Sequence, residues 1–151
     1  MKSGALRHGT SRPTWTEIDL DAIAYNYRII KSRLLKKTSV LAVVKANAYG
    51  YGMIEVARRL EKEKAAYLGV ACVDEGLALR KARIKTPILV LSSVLPKEAE
   101  AAVYYDLTLT VCDMSLAAAI DKAARKYRKR AIVHVKVDTG MGRLGVWHDE
   151  A

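Results

Sequence analysis

The chemistry this sequence offers begins at Lys45. That lysine closes Ser39-Val40-Leu41-Ala42-Val43-Val44, a run that is nearly all apolar, and a loop with an aromatic and the glycines Gly50 and Gly52 comes directly after it. An ammonium delivered to the edge of an apolar core is costly unless paired, and desolvation drives a lysine's pKa down toward neutrality. A neutral amine is a nucleophile, so Lys45 is a candidate for Schiff-base chemistry. The plainer reading, in which Lys45 caps its strand and snorkels to water, is the common fate of strand-end lysines and stays open on the strand alone.

A second group of reactive side chains surrounds a glycine bend. Ala131-Ile132-Val133-His134-Val135-Lys136-Val137 reads as a strand and runs into Asp138-Thr139-Gly140-Met141-Gly142-Arg143-Leu144-Gly145. Gly140, Gly142 and Gly145 fit the GxGxxG pattern of a dinucleotide-binding turn. That fingerprint needs a helix opening on the glycines and an acidic residue about 20 positions later, and neither is written here. The alternative is a bent backbone that places Arg143, a permanent cation with a rigid fork of donors, over the same strand-end face as Lys45. Lys136 points to that region too, and two cations so close repel unless an anion lies between them. His134, alone among valines, reads as a hydrogen-bonded core residue. Cys72 and Cys112 lack any CxxC partner and read as buried thiols, so no metal site is expected.

The elements that must hold these groups are set by periodicity. Trp15 to Leu20 alternates as a short strand, and Asp19 or Asp21 can cap a helix over residues 22–36 built on Ile23, Tyr27, Ile30 and Leu34. After the Lys45 strand come a helix through Ile54, Ala57 and Leu60, a strand over residues 67–71, and a helix whose first turn holds Asp74 and Glu75. Residues 88–91 and 107–111 read as strands, Pro96 opens a helix, and Leu116, Ile120, Ala123 and Tyr127 mark a longer one. Strand alternating with helix means parallel strands joined by helical crossovers, in an open doubly wound sheet or a barrel. The Lys45 run, apolar throughout, is then covered on both faces, with Lys45 at the carboxyl end where such sheets place their chemistry.

Composition sets outer limits. A chain of 151 residues suits one domain. It has no apolar run of about 18 residues and no signal-peptide core, so no membrane contact and a cytoplasmic location are expected. The net charge of +10 is spread over helix surfaces without the interleaved aromatics of a stacking platform. A solvated basic face is the expectation rather than nucleic-acid binding, and the field also suits an anionic cofactor.

Val43-Val44-Lys45-Ala46-Asn47-Ala48-Tyr49-Gly50-Tyr51-Gly52, with residues 12–23 ahead of it and residues 135–145 behind, resembles the amino-terminal part of the bacterial alanine racemases, pyridoxal 5'-phosphate enzymes of fold type III. Gly69-Val70-Ala71, Asp74-Glu75-Gly76 and Pro87-Ile88-Leu89-Val90-Leu91 match as well. The resemblance implies that Lys45 holds the cofactor as an internal aldimine and serves as one of two bases. It implies that Tyr49 hydrogen-bonds the cofactor phosphate and that Arg143 lies near the phenolic oxygen and the substrate carboxylate. Lys136 matches a lysine carbamylated in many members, whose anion would hold Arg143 and resolve the repulsion. The activity implied is interconversion of L-alanine and D-alanine in a homodimer, supplying D-alanine for peptidoglycan.

The fold implied is a parallel (β/α)8 TIM-type barrel with a carboxy-terminal β domain, the segment around Trp15 pairing with that domain. Residues 1–11 are then a tail and residues 12–151 the amino-terminal part of the barrel, with about the first five β/α units. Such a fragment, lacking the opposite base, the phosphate-binding glycine loop and the β domain, is expected to be inactive alone. Tyr51 stands where the family usually has histidine and Arg83 where it often has glycine, and neither change removes a catalytic group. A broad-specificity amino-acid racemase and a non-catalytic carrier of the same cofactor remain as alternatives.

Overall fold

A computed structural model of the protein describes residues 14–150. The expected tail 1–11, and Arg12 and Pro13 of the matching motif, lie outside the described residues.

Five strands form one parallel sheet in the order β1 (Leu41–Val43), β2 (Tyr67–Val70), β3 (Ile88–Val90), β4 (Thr108–Val111) and β5 (Val133–Val135). Leu41 lies opposite Tyr67, Gly69 opposite Leu89, and Leu109 opposite Val133. Each strand pairs with its neighbour in sequence, so every carboxyl end falls on one rim. The inner strands β2, β3 and β4 are covered on both faces: Leu68, Val70, Ile88, Val90 and Leu109 have almost no exposure, and the buried Thr110 of β4 donates its hydroxyl to Val90 O at 2.7 Å. Burying each such side chain contributes about 1.5–3 kcal/mol. Gly69 is needed inside β2, since a Cβ there would stand 2.8 Å from a Leu41 methyl.

Helices α1 (Leu20–Ser32), α3 (Met53–Lys62), α4 (Val73–Lys81), α5 (Ala99–Tyr104) and α6 (Met114–Tyr127) cover the sheet, and α2 (Lys45–Tyr49) is a short turn at the rim. Asp19 caps α1 by accepting from the N–H groups of Asp21 and Ala22, both at 2.9 Å. Asp113 caps α6 by accepting from Leu116 at 2.8 Å. The amino side of the sheet is tied by two charged groups. Arg80 donates to the carbonyls of Ile84 and Thr86, both at 2.8 Å, and of Tyr105 and Asp106, both at 3.1 Å. Glu61 Oε1 accepts from the N–H groups of Lys85 (2.6 Å) and Thr86 (2.8 Å) and from the Thr86 hydroxyl (3.1 Å).

Several expectations are corrected. The segment from Trp15 to Ile18 is irregular and not a strand, and the chain passes into α1 two residues earlier than the periodicity suggests. The helix also stops at Ser32 rather than continuing to residue 36. β1 is an edge strand and only partly covered, with Val43 exposed, although Val44 after it is buried. The last strand is two pieces, β5 and β6 (Val137–Asp138), broken at Lys136, and β6 pairs with β7 (Val146–Trp147). As the other edge strand, β5 leaves His134 exposed, its ring 6.1 Å from that of Tyr67, instead of in the core. Cys72 is exposed and Cys112 half-buried; both are free thiols. Pro96 opens a short 3-10 turn, Pro96–Glu98, before α5.

Candidate functional site

Lys45 comes one residue after β1 and is half-buried at the carboxyl rim. The backbone on either side of it is held. Val44 donates to Gly69 O at 2.8 Å, and Val44 O accepts from Ala48 N at 2.8 Å. Beyond Lys45 the chain enters a turn of left-handed helix: Ala46, Asn47, Ala48 and Tyr49 have φ between +51° and +55°. For residues with a Cβ this conformation costs roughly 1–2 kcal/mol each and is seldom repeated in succession. It persists only where the surroundings over-determine it. Asn47 does part of this: its side-chain oxygen accepts from Met53 N (2.9 Å) and caps α3, while its carbonyl accepts from Gly50 (3.1 Å) and Gly52 (3.0 Å). Glu75 does the rest, its Oε1 accepting from Ala46 N and its Oε2 from Ala71 N, both at 2.7 Å. No hydrogen bond or ion pair engages Lys45 Nζ among the described residues, so the amine is uncommitted.

Tyr49, at the end of the left-handed turn, is exposed and turned out to the rim. Lys136 sits between β5 and β6 on the same rim. Its N–H donates to Val111 O and its carbonyl accepts from Val146 N, both at 2.9 Å, while its side chain is exposed. Arg143 is carried on the bend between β6 and β7 and is also exposed. That bend is organised by Asp138, a buried carboxylate whose Oδ1 accepts from Gly140 N (2.9 Å) and Gly142 N (3.1 Å). These two N–H groups, with those of Met141 and Arg143 adding, hold the Asp138 carboxyl below its ordinary value. No helix opens on the glycines, so the bend is not a dinucleotide turn.

The sheet thus gathers Lys45 and Tyr49 after its first strand and Lys136 and Arg143 after its fifth, all on one rim. It does not join them: β1 and β5 are opposite edges of the sheet, and no hydrogen bond or ion pair links the two groups. Three cations and a phenol facing one rim, the cations without an ion pair among the described residues, suit an anionic ligand. A cavity of about 860 Å3 lies between α6 and β5, lined largely by apolar side chains such as Met114, Ile120, Val133 and Val135, and reaches Val111 and Val146, the backbone partners of Lys136. Among the described residues no cluster of His, Cys, Asp and Glu could hold a metal ion.

Sequence reasoning missed three groups. Asp138 was readable, since an aspartate two residues before a glycine is an Asx-turn signal. Asn47 and Glu75 gave no such sign, because their partners are backbone amides set by the fold.

Residues 18–151 match the family described as alanine racemase, N-terminal domain. The chain is 42% identical over 139 residues to the alanine racemase of Carboxydothermus hydrogenoformans, covering 92% of this chain and 38% of that protein. It is 47% identical over 134 residues to alanine racemase 1 of Caldanaerobacter subterraneus subsp. tengcongensis, covering 89% of this chain and 34% of that one. Among solved structures, alanine racemase of Clostridium difficile 630 superposes with a TM-score of 0.87 at 40% identity, over 92% of this chain and 36% of that one. The chain therefore spans little more than a third of the length of these relatives, and its five parallel strands, the first four each followed by a helix, have the TIM-barrel arrangement of their amino-terminal domain.

Proposed function

Since the chain belongs to the alanine racemase family by its amino-terminal domain, we infer that it contributes the lysine-bearing part of an enzyme that interconverts L-alanine and D-alanine with pyridoxal 5'-phosphate. The observation that carries this reading is Lys45, an uncommitted amine fixed by its backbone at the carboxyl rim of the first barrel strand.

The residues present fit the cofactor. An aldehyde needs an amine with no competing partner, and Lys45 Nζ has none among the described residues. A phosphate and a phenolic oxygen need donors, and the Tyr49 hydroxyl and the Arg143 guanidinium are exposed on the same rim. Lys45 would hold the cofactor through Nζ, Tyr49 would donate to its phosphate, and Arg143 would bind the substrate carboxylate. When bound, the cofactor supplies an electron sink for the charge left as the α-proton departs. Lys45 then takes or returns that proton at Nζ on one face of the substrate. Inversion needs a second base on the other face, which none of these four residues provides. Carbamylation of Lys136 would set an anion beside the Arg143 bend and hold the guanidinium in place.

The same reading makes the enzyme a cytoplasmic homodimer that supplies D-alanine for peptidoglycan, with residues 12–151 as the first part of its barrel domain. No helix among the described residues is long and apolar enough to cross a membrane. The test joins this chain to the remaining barrel and β domain of the Carboxydothermus hydrogenoformans relative and measures D-alanine formed from L-alanine by chiral chromatography. Racemisation abolished by Lys45→Ala is the expected result. A Lys45→Ala chimera that still racemises would overturn the assignment.

A further inference from the structure

We propose that Glu75 is a positioning residue for Lys45, a two-oxygen staple that fixes the direction in which the reactive amine leaves the backbone. The proposal rests on Lys45 being the cofactor-capturing amine, and it assigns Glu75 no contact with substrate.

A side chain's direction at the backbone is set by the two peptide groups that flank its Cα. At Lys45 the preceding group is held through Val44 O, which accepts from Ala48 N at 2.8 Å. The next peptide group has one free donor, Ala46 N–H, and Glu75 Oε1 takes it at 2.7 Å from 29 residues away. The second oxygen, Oε2, takes Ala71 N–H, also at 2.7 Å, at the end of the adjacent strand β2. One carboxylate thus bridges the carboxyl ends of two neighbouring strands, through charge-assisted bonds that are about twice as strong as neutral ones. Glu75 itself stands in the first turn of α4, whose buried face carries Val73, Gly76 and Leu79, so the staple is anchored in the core. Gly76 has no room for a side chain, a Cβ there reaching 2.8 Å from a Leu107 methyl, which seats this first turn close against the body.

The staple also meets the left-handed turn at its first residue. Ala46 has φ of +51°, the start of four consecutive residues in that region. Without a partner for its N–H, only the bond from Ala48 N to Val44 O would oppose relaxation of Ala46 to an ordinary conformation, which would swing Lys45. Asn47 secures only the far end, at Met53, Gly50 and Gly52.

The test compares Glu75→Gln with Glu61→Gln. Glu61 is a matched control: it also collects backbone N–H groups, those of Lys85 and Thr86, but on the other side of the sheet from Lys45. The first readout is amide hydrogen exchange, resolved at Ala46 and Ala71. The second is the share of pyridoxal phosphate trapped on Lys45 rather than on other lysines after borohydride reduction and peptide mapping. Because glutamine offers one acceptor oxygen, Glu75→Gln should accelerate exchange at one of the two amides about tenfold or more and lower the Lys45 share, while Glu61→Gln leaves both unchanged. Glu75→Asp, too short to reach both amides, should behave likewise, and circular dichroism reports whether either variant has unfolded. Unchanged exchange at both amides in a folded Glu75 variant, or an unchanged Lys45 share, overturns the proposal. An equal loss of Lys45 share in Glu61→Gln also overturns it, since general loosening would then explain the effect. Trapping that shows no preference for Lys45 in the unsubstituted chain counts against the functional reading alone, and the exchange at Ala46 still decides whether the staple holds.

Discussion

Gly145 lies against Asp138 so closely that a Cβ added to it would stand 2.6 Å from the Asp138 nitrogen. The bend that carries Arg143 is closed by this backbone approach and by a φ of +126° at Gly145 that side chains do not tolerate. Gly145→Ala is expected to destabilise the protein by about 2 kcal/mol or more, read from urea unfolding. Gly142, with φ of +67° and open space around it, is the contrast, and Gly142→Ala should cost only about 1–2 kcal/mol. Equal losses at the two positions would sink the packing account.

Asp138 gives the same bend a dependence on pH. Its carboxyl is held low by the N–H groups of Gly140 and Gly142. A group with a depressed folded pKa stabilises the fold above its unfolded value of about 3.9, and that stability disappears as pH falls through the lower folded value. Asp138→Asn should therefore lower Tm at pH 7, and its gap to the unsubstituted protein should narrow below about pH 4. A gap that stays constant from neutral pH into acid would exclude the charge as its cause.

The left-handed turn makes an unusual forecast for alanine. Glycine normally weakens a helix, yet Ala46 is exposed and has φ of +51°, where glycine is free of the Cβ penalty. Ala46→Gly should be neutral or stabilising by up to about 1 kcal/mol, whereas Ala46→Val should destabilise. Thermal unfolding of the pair decides it, and a clear loss on Ala46→Gly would refute the strain.

Arg80 is the strongest structural tie on the amino side, donating to four carbonyls, and burial pulls its pKa below the ordinary arginine value. Arg80→Met leaves those carbonyls without their donor and should cost about 2–4 kcal/mol in denaturant unfolding. Arg80→Lys, a point charge without the fork, should recover less than half of that loss. Full recovery by lysine would mean that charge rather than geometry holds the loops.

Much of this molecule was legible in its residues. The largely apolar runs at 67–70 and 88–90 and the β-branched Thr-Leu-Thr-Val at 108–111 mark their strands, and the alternation with helices marks the parallel order. The edge strands were misread for the same reason: valines in β5 look like core, but Val133, His134 and Val135 are exposed. The position of Lys45 at a strand end was legible; the left-handed turn after it was not, since Ala46, Ala48 and Tyr49 carry no local preference for positive φ, which only Asn47 and the closing glycines do. Glu75 was visible as a helix-start acid, but its bond to Ala46 exists only once two strands lie side by side.

Helix α4 carries Glu75 in its first turn and Arg80 in its last. It is a strut with a different fitting at each end, one serving the reactive rim and the other the foundations. Each added residue rotates the remainder of a helix by about 100°, so inserting a single alanine after Ala78 would swing the guanidinium off its four oxygens while leaving the carboxylate in register. Lengthening this one rod should thus yield a chain whose business end stays aligned as its base comes apart.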